Sequence, residues 1–199
     1  MDTMALKTAF LLTRNPVSAL PSYYKFLYRF ELGNGPDAEI PIGDWVAWRN
    51  ENLELQMIKW VEHTKWWLDH YATPGSLMVV EFEKLTSKTE GPKTLSEMGK
   101  FLSATNPTIE NIMAPDSDLP CLWNLLIGDT VQRKVPSKAA AKIPEGPKYP
   151  YTLENLDMLI SHLKTLKREL GTNPNAEFVT DYIKGVTVAK RQVEKLLAS

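Results

Sequence analysis

The chain has 199 residues, 43% hydrophobic and 24% charged, the make-up of an ordinary globular domain with enough material for a substantial core. Its formal net charge is −1, from 23 Lys and Arg against 24 Asp and Glu, so no nucleic-acid or anionic-membrane partner follows from overall charge, and any anion site must be local. The single cysteine, Cys121, excludes an internal disulfide and a zinc cluster, the histidines show no metal-ligand spacing, and Ala9 to Leu12 is far too short to span a membrane.

Thr8 to Thr13 is an unalternated apolar run stopped by Arg14-Asn15-Pro16, the pattern of a buried strand in a parallel sheet. Asn15 suits a helix N-cap and Pro16 the first helical position. A helix is expected from about Pro16 to Phe30, packing Ala19, Tyr23, Leu27 and Phe30 on one side. Pro21 removes the N–H that would bond the Val17 carbonyl, so a kinked or 3₁₀-like first turn is expected. Leu32 to Gly43 has loop composition. A long helix follows from about Asp44 to Tyr71, with Trp45, Trp48, Leu55, Ile58, Val61 and Leu68 at helical spacing. The tryptophans fit core packing better than a sugar platform.

Ser76 to Phe82 is the second strand, and this strand–helix–helix–strand order favours a parallel sheet with crossovers. Glu81 and Glu83, two apart on that strand, would face the same way, with structural roles favoured over catalysis. Thr86 to Pro92 is a loop, Thr94 to Leu102 a short helix, and Thr105 to Pro120 irregular with a short helical piece. Gly128 to Tyr151, rich in Lys, Pro and Ala, lacks periodicity and is expected to be exposed. Thr152 opens a capped helix to about Leu170, closed by Gly171, and a last helix spans about Ala176 to Leu197.

The chemistry concentrates where the first strand meets the first helix. A helix starting there offers N–H groups and the positive end of its dipole. Arg14 adds a guanidinium fork matched to phosphate or sulfate oxygens. Ser22, two turns beyond Asn15, returns to the same face with its side chain leaning toward the N-terminus. The competing reading makes Arg14 a surface ion-pair residue and Ser22 a solvated helix serine.

Phe10 to Pro16, followed by Ser22-Tyr23-Tyr24, resembles the 3′-phosphate-binding motif of sulfotransferases that use 3′-phosphoadenosine 5′-phosphosulfate, in which a Ser lies eight residues after the Arg. Trp66-Trp67-Leu68, then Leu77 to Leu85, is similar to the family's tryptophan-ended helix and following strand, and Leu95 to Leu102 to its helix ending in Phe-Leu. Cys121 through Gly128 to Arg133-Lys134 looks like a stretch of the Golgi-type sulfotransferases related to WSC-domain proteins, with one extra residue before Arg133. The likeness covers residues 8–133 best, with 134–150 a loop and 151–199 helical, all within one domain of 1–199.

The resemblance implies an α/β fold of the P-loop-NTPase-like sulfotransferase type, a parallel sheet flanked by helices with a helical C-terminal region. It lacks the N-terminal strand and the 5′-phosphosulfate loop, because only thirteen residues precede Arg14 and none forms such a loop. The catalytic base, which in the family also lies upstream of the motif, has no counterpart here. Phe82 and Lys84 stand where the family has Tyr and Asp, a further departure. By the resemblance, Arg14 and Ser22 hold the 3′-phosphate, Asn15 caps the helix, and Arg133 or Lys134 adds a late contact. The co-substrate would be 3′-phosphoadenosine 5′-phosphosulfate, with no metal. The acceptor would be a hydroxyl or amine, carbohydrate among them, and the compartment the Golgi lumen if the chain belongs to a longer anchored protein.

The rival expectation is a catalytically inactive, degenerate domain serving as a binding or oligomerisation module. With the neighbouring strand missing, Thr8 to Thr13 would keep an open edge, which favours a homo-oligomer or a less stable fold. A kinase or related nucleotide enzyme is disfavoured by the lack of any Gly-x-x-x-x-Gly-Lys-[Ser/Thr].

Overall fold

A computed structural model describes residues 7–106, 108, 114–128 and 150–198. These residues form a mostly helical α/β structure divided into two compact units, one from described residues within 7–13 and 70–128, the other from 14–69 and 150–198.

The first unit holds a two-stranded parallel sheet, β1 (Ala9–Thr13) beside β2 (Leu77–Glu81), with Leu11 opposite Val79. The apolar runs, with Val79 and Val80 β-branched in β2, and the long connection between them produce the parallel pairing expected from the sequence. The Ala9 N–H donates to the Ser76 carbonyl at 2.9 Å, so residues 9, 11 and 13 turn their backbone groups to β2, and Phe10 and Leu12 turn theirs to the outer edge. β1 is not buried on both faces as expected. Leu11 and Thr13 are buried, but Leu12 is 58% exposed. On the Leu12 face, helical cover reaches Phe10, whose ring lies 5.1 Å from that of Phe101, and stops short of Leu12.

β2 ends sooner than expected. Phe82–Leu85 is a short helix, α3, so Glu81 and Glu83 do not share a strand. Glu81, nearly buried, is paired with Lys84 one turn on. The following loop is also shorter, because the Ser87 hydroxyl accepts from the Thr89 and Glu90 N–H groups, both at 3.3 Å, and tightens the chain into α4 (Gly91–Thr105). Pro92 sits in the first turn of that helix, where its missing N–H does no harm. A short helix, α5 (Leu119–Trp123), starts only at the end of the stretch expected to be irregular and runs past Pro120, continued by a π turn over Asn124–Gly128. The Trp123 indole donates to the Leu85 carbonyl at 2.6 Å, joining α5 to the end of α3.

The second unit is helical: α1 (Pro16–Phe26), a π turn over Leu27–Glu31, α2 (Ile42–His70), α6 (Leu153–Leu170) and α7 (Glu177–Ala198). α6 follows its sequence closely. Thr152 and Asn155 form a reciprocal capping box, with 3.2 and 3.1 Å bonds, and Gly171 turns the chain at φ +55°. Leu156, Leu159, Leu163 and Leu166 are fully buried beside Val179 and Val186 of α7. Their spacing makes the inner stripe, and each such leucine contributes about 1.5–3 kcal/mol by leaving water.

The inward faces of α1 and α2 differ from expectation. α1 buries Leu20, Pro21 and Tyr24, while Tyr23 is exposed and Phe30 is 59% exposed. The Tyr24 ring stacks on Trp48 at 4.8 Å, and that contact sets the rotation of the helix. α2 buries Trp45, Arg49, Leu53, Met57, Thr64 and Leu68, leaving Leu55 51% exposed and Ile58 also exposed. A guanidinium and a hydroxyl on the inner face disguise it from a reading by hydrophobicity. Trp45 is fully buried and Trp66 exposed, so the tryptophans divide between core and surface.

Candidate functional site

The site lies in the first turns of α1. Asn15, at φ −53° and ψ 127°, caps the helix as its residue type predicts: its Oδ1 accepts from the Val17 N–H at 3.1 Å. Its Nδ2 donates to the Tyr182 carbonyl of α7 at 3.1 Å, and the side chain is buried. Asn15 thus both starts α1 and fastens it to α7. α7 comes this close because residue 185 is glycine; a Cβ there would lie 2.6 Å from the Asn15 Nδ2.

The cap changes what an anion would meet. Pro16 has no N–H, the Val17 N–H is held by the Asn15 side chain, and those of Ser18 and Ala19 bond the Asn15 carbonyl at 2.9 and 2.8 Å. The expected row of open backbone donors is therefore already engaged within the turn. Donor capacity comes from side chains instead. Arg14 Nη1 donates to Ser22 Oγ at 2.7 Å, bringing together the two residues singled out by their spacing. With Ser22 Oγ accepting from the guanidinium, its own proton is left to donate outward. A cation and a hydroxyl donor then stand side by side at an exposed position, an arrangement suited to an oxyanion.

Pro21 sits inside α1 without breaking it. The Val17 carbonyl, which a residue-21 N–H would ordinarily serve, accepts instead from the Tyr151 hydroxyl at 3.1 Å. Tyr151 is held in turn. The Pro150 carbonyl accepts from the Trp45 indole at 3.2 Å and from Arg49 Nη1, and the Trp45 and Tyr151 rings meet edge to face at 5.7 Å. Arg49 is buried, its Nε and Nη2 donating to Asn50 Oδ1 at 3.2 and 2.8 Å, and burial lowers its pKa. The far end of the segment expected to be exposed, Gly128 to Tyr151, is therefore anchored at Pro150 and Tyr151.

Burial pushes the Tyr151 phenol well above its usual range, with nearby Arg49 opposing. Burial, Asp44 and Tyr28 together raise Tyr24 as well. Above pH about 10 an unfolded tyrosine releases its proton while the folded Tyr151, half-buried and bonded to the Val17 carbonyl, keeps it, so the unfolded state binds fewer protons and stability falls as pH rises. For one such group the slope is about 1.4 kcal/mol per pH unit. Urea midpoints measured from pH 9 to 11 should fall more steeply in the parent protein than in Tyr151→Phe, whose ring cannot ionise. Identical slopes would place Tyr151 in solvent.

Arg133 and Lys134 lie outside the described residues. Among the described residues no group of three or more His, Cys, Asp and Glu side chains is placed to hold a metal ion, and no helix is long and apolar enough to cross a membrane. Tyr151, Arg49 and Gly185 escape a reading of the sequence. The signals for two of them were a proline inside a helix, which demands an outside donor for one carbonyl, and a glycine inside another helix, which marks a close approach. No family model, no curated protein and no solved structure matches the chain.

Proposed function

We propose that this chain carries the 3′-phosphate-binding half of a sulfotransferase-like site, for the donor 3′-phosphoadenosine 5′-phosphosulfate. The observation that carries the reading is the 2.7 Å bond from Arg14 Nη1 to Ser22 Oγ, which joins the two motif residues at one end of α1. Arg14 supplies charge and a fork to the phosphate oxygens, Ser22 supplies a hydroxyl donor, and Asn15 holds both by capping the helix and bonding α7. Arg133 is the proposed late cation. Sulfuryl transfer to a hydroxyl or amine, on a carbohydrate for instance, depends like phosphoryl transfer on positioning and on stabilising negative charge. A 5′-phosphosulfate cradle and a base, supplied outside these residues, would complete the reaction. Titration with 3′-phosphoadenosine 5′-phosphate, against adenosine 5′-monophosphate, tests the binding half.

A second reading, a non-enzymatic binding or oligomerisation module, is favoured by the outer edge of β1, where Leu12 stands exposed and no strand pairs among the described residues. Absence of nucleotide binding by the folded chain would shift the assignment to this reading.

A further inference from the structure

We infer that Tyr151 is a positioning residue for the Arg14–Ser22 pair, its hydroxyl replacing the backbone donor that Pro21 lacks and locking the first turns of α1 to the segment that enters α6. The ligand side of this inference rests on the function proposed above; the lock itself does not.

The Val17 carbonyl belongs to the turn between Asn15 and Ser22, and Pro21 leaves it without its helical partner. A carbonyl in that position either finds a donor or bends its helix outward to reach water. Tyr151 finds it at 3.1 Å, and α1 continues unbroken through Phe26, which keeps Ser22 in register with Arg14. The tyrosine is rigid at both ends. Its preceding carbonyl is gripped by Trp45 and Arg49, and its ring lies against Trp45. A buried guanidinium spent on a neutral carbonyl is a costly anchor, and here its effect is to fix where the Tyr151 hydroxyl points. α1, α2 and the segment entering α6 are therefore tied through two successive carbonyl contacts, Val17 to Tyr151 and Pro150 to Trp45 and Arg49, in the turns that carry the proposed phosphate contact.

Three variants test the lock: Tyr151→Phe, Pro21→Ala and the two combined. Alanine at 21 returns an N–H to the Val17 carbonyl and makes the tyrosine hydroxyl dispensable. Each is titrated with 3′-phosphoadenosine 5′-phosphate well below its melting temperature, where all are folded and a merely structural loss leaves affinity unmoved. Tyr151→Phe should bind about five- to tenfold more weakly, and the combined variant should recover most of that loss. Parent affinity in Tyr151→Phe would overturn the positioning role. Urea unfolding of the same set separates this from failure of the nucleotide reading. If the parent binds no nucleotide, a Tyr151→Phe penalty that shrinks in the Pro21→Ala background still supports the lock. The same penalty in both backgrounds overturns it. Should Tyr151→Phe alone fail to fold, folding of the combined variant supports the substitution of one donor for the other, and its failure to fold counts against it.

Discussion

Gly91→Ala should destabilise the chain by about 3 kcal/mol or more, although helix propensity alone favours alanine by about 1 kcal/mol. Gly91 opens α4, and a Cβ there would enter the Trp123 indole and come within 2.7 Å of the Leu85 carbonyl oxygen. Neither neighbour can give way cheaply. One is backbone, and the other is a flat ring bonded to that same carbonyl at 2.6 Å. Relief requires withdrawing the indole, which breaks that bond and uncovers a buried aromatic surface, so an overpacking cost and a lost buried hydrogen bond add. Urea denaturation followed by tryptophan fluorescence measures the loss. A Gly91→Ala midpoint at or above the parent value would mean that α5 does not seat against α4 as described.

Gly185→Ala is the second large effect, about 2 kcal/mol of destabilisation, at another helical position where propensity points the other way. Its Cβ would lie 2.6 Å from Asn15 Nδ2. The amide is the end of a side chain and can swing aside, but only by releasing the Tyr182 carbonyl and loosening the Val17 cap. Loss of a cap costs about 1 kcal/mol, and the released carbonyl a comparable amount. Because Asn15 adjoins Arg14, the same substitution should weaken nucleotide binding, and Asn15→Ala should largely cancel the Gly185→Ala penalty. Independent, additive losses would show that the two residues do not touch.

The contrast between these positions and the motif itself explains what a reading of the sequence can reach. The Asn15 cap, the Thr152–Asn155 capping box and the Gly171 turn depend on residues a few positions apart, and the sequence displays them. The two parallel strands were legible for the same reason, as short apolar runs bounded on one side by a polar turn, Arg14-Asn15-Pro16 after β1 and Thr73-Pro74-Gly75 before β2. The inner face of α2 was not, because Arg49 and Thr64 lie on it and Leu55 lies off it. Pro21 announced an orphaned carbonyl but not the donor, since Tyr151 lies 134 positions away and its approach depends on Trp45 and Arg49. The spacing of Arg14 and Ser22 foretold their meeting, whereas engagement of the neighbouring N–H groups depends on the folded geometry of the Asn15 cap.

The most direct measurement is calorimetric titration of the folded chain with 3′-phosphoadenosine 5′-phosphate, run beside adenosine 5′-monophosphate and an Arg14→Ala variant. Binding of the bisphosphate, with affinity lowered at least tenfold both by omitting the 3′-phosphate and by removing the Arg14 guanidinium, is the predicted result. Equal affinity for both nucleotides, or binding unchanged in Arg14→Ala, would contradict a 3′-phosphate site at the head of α1.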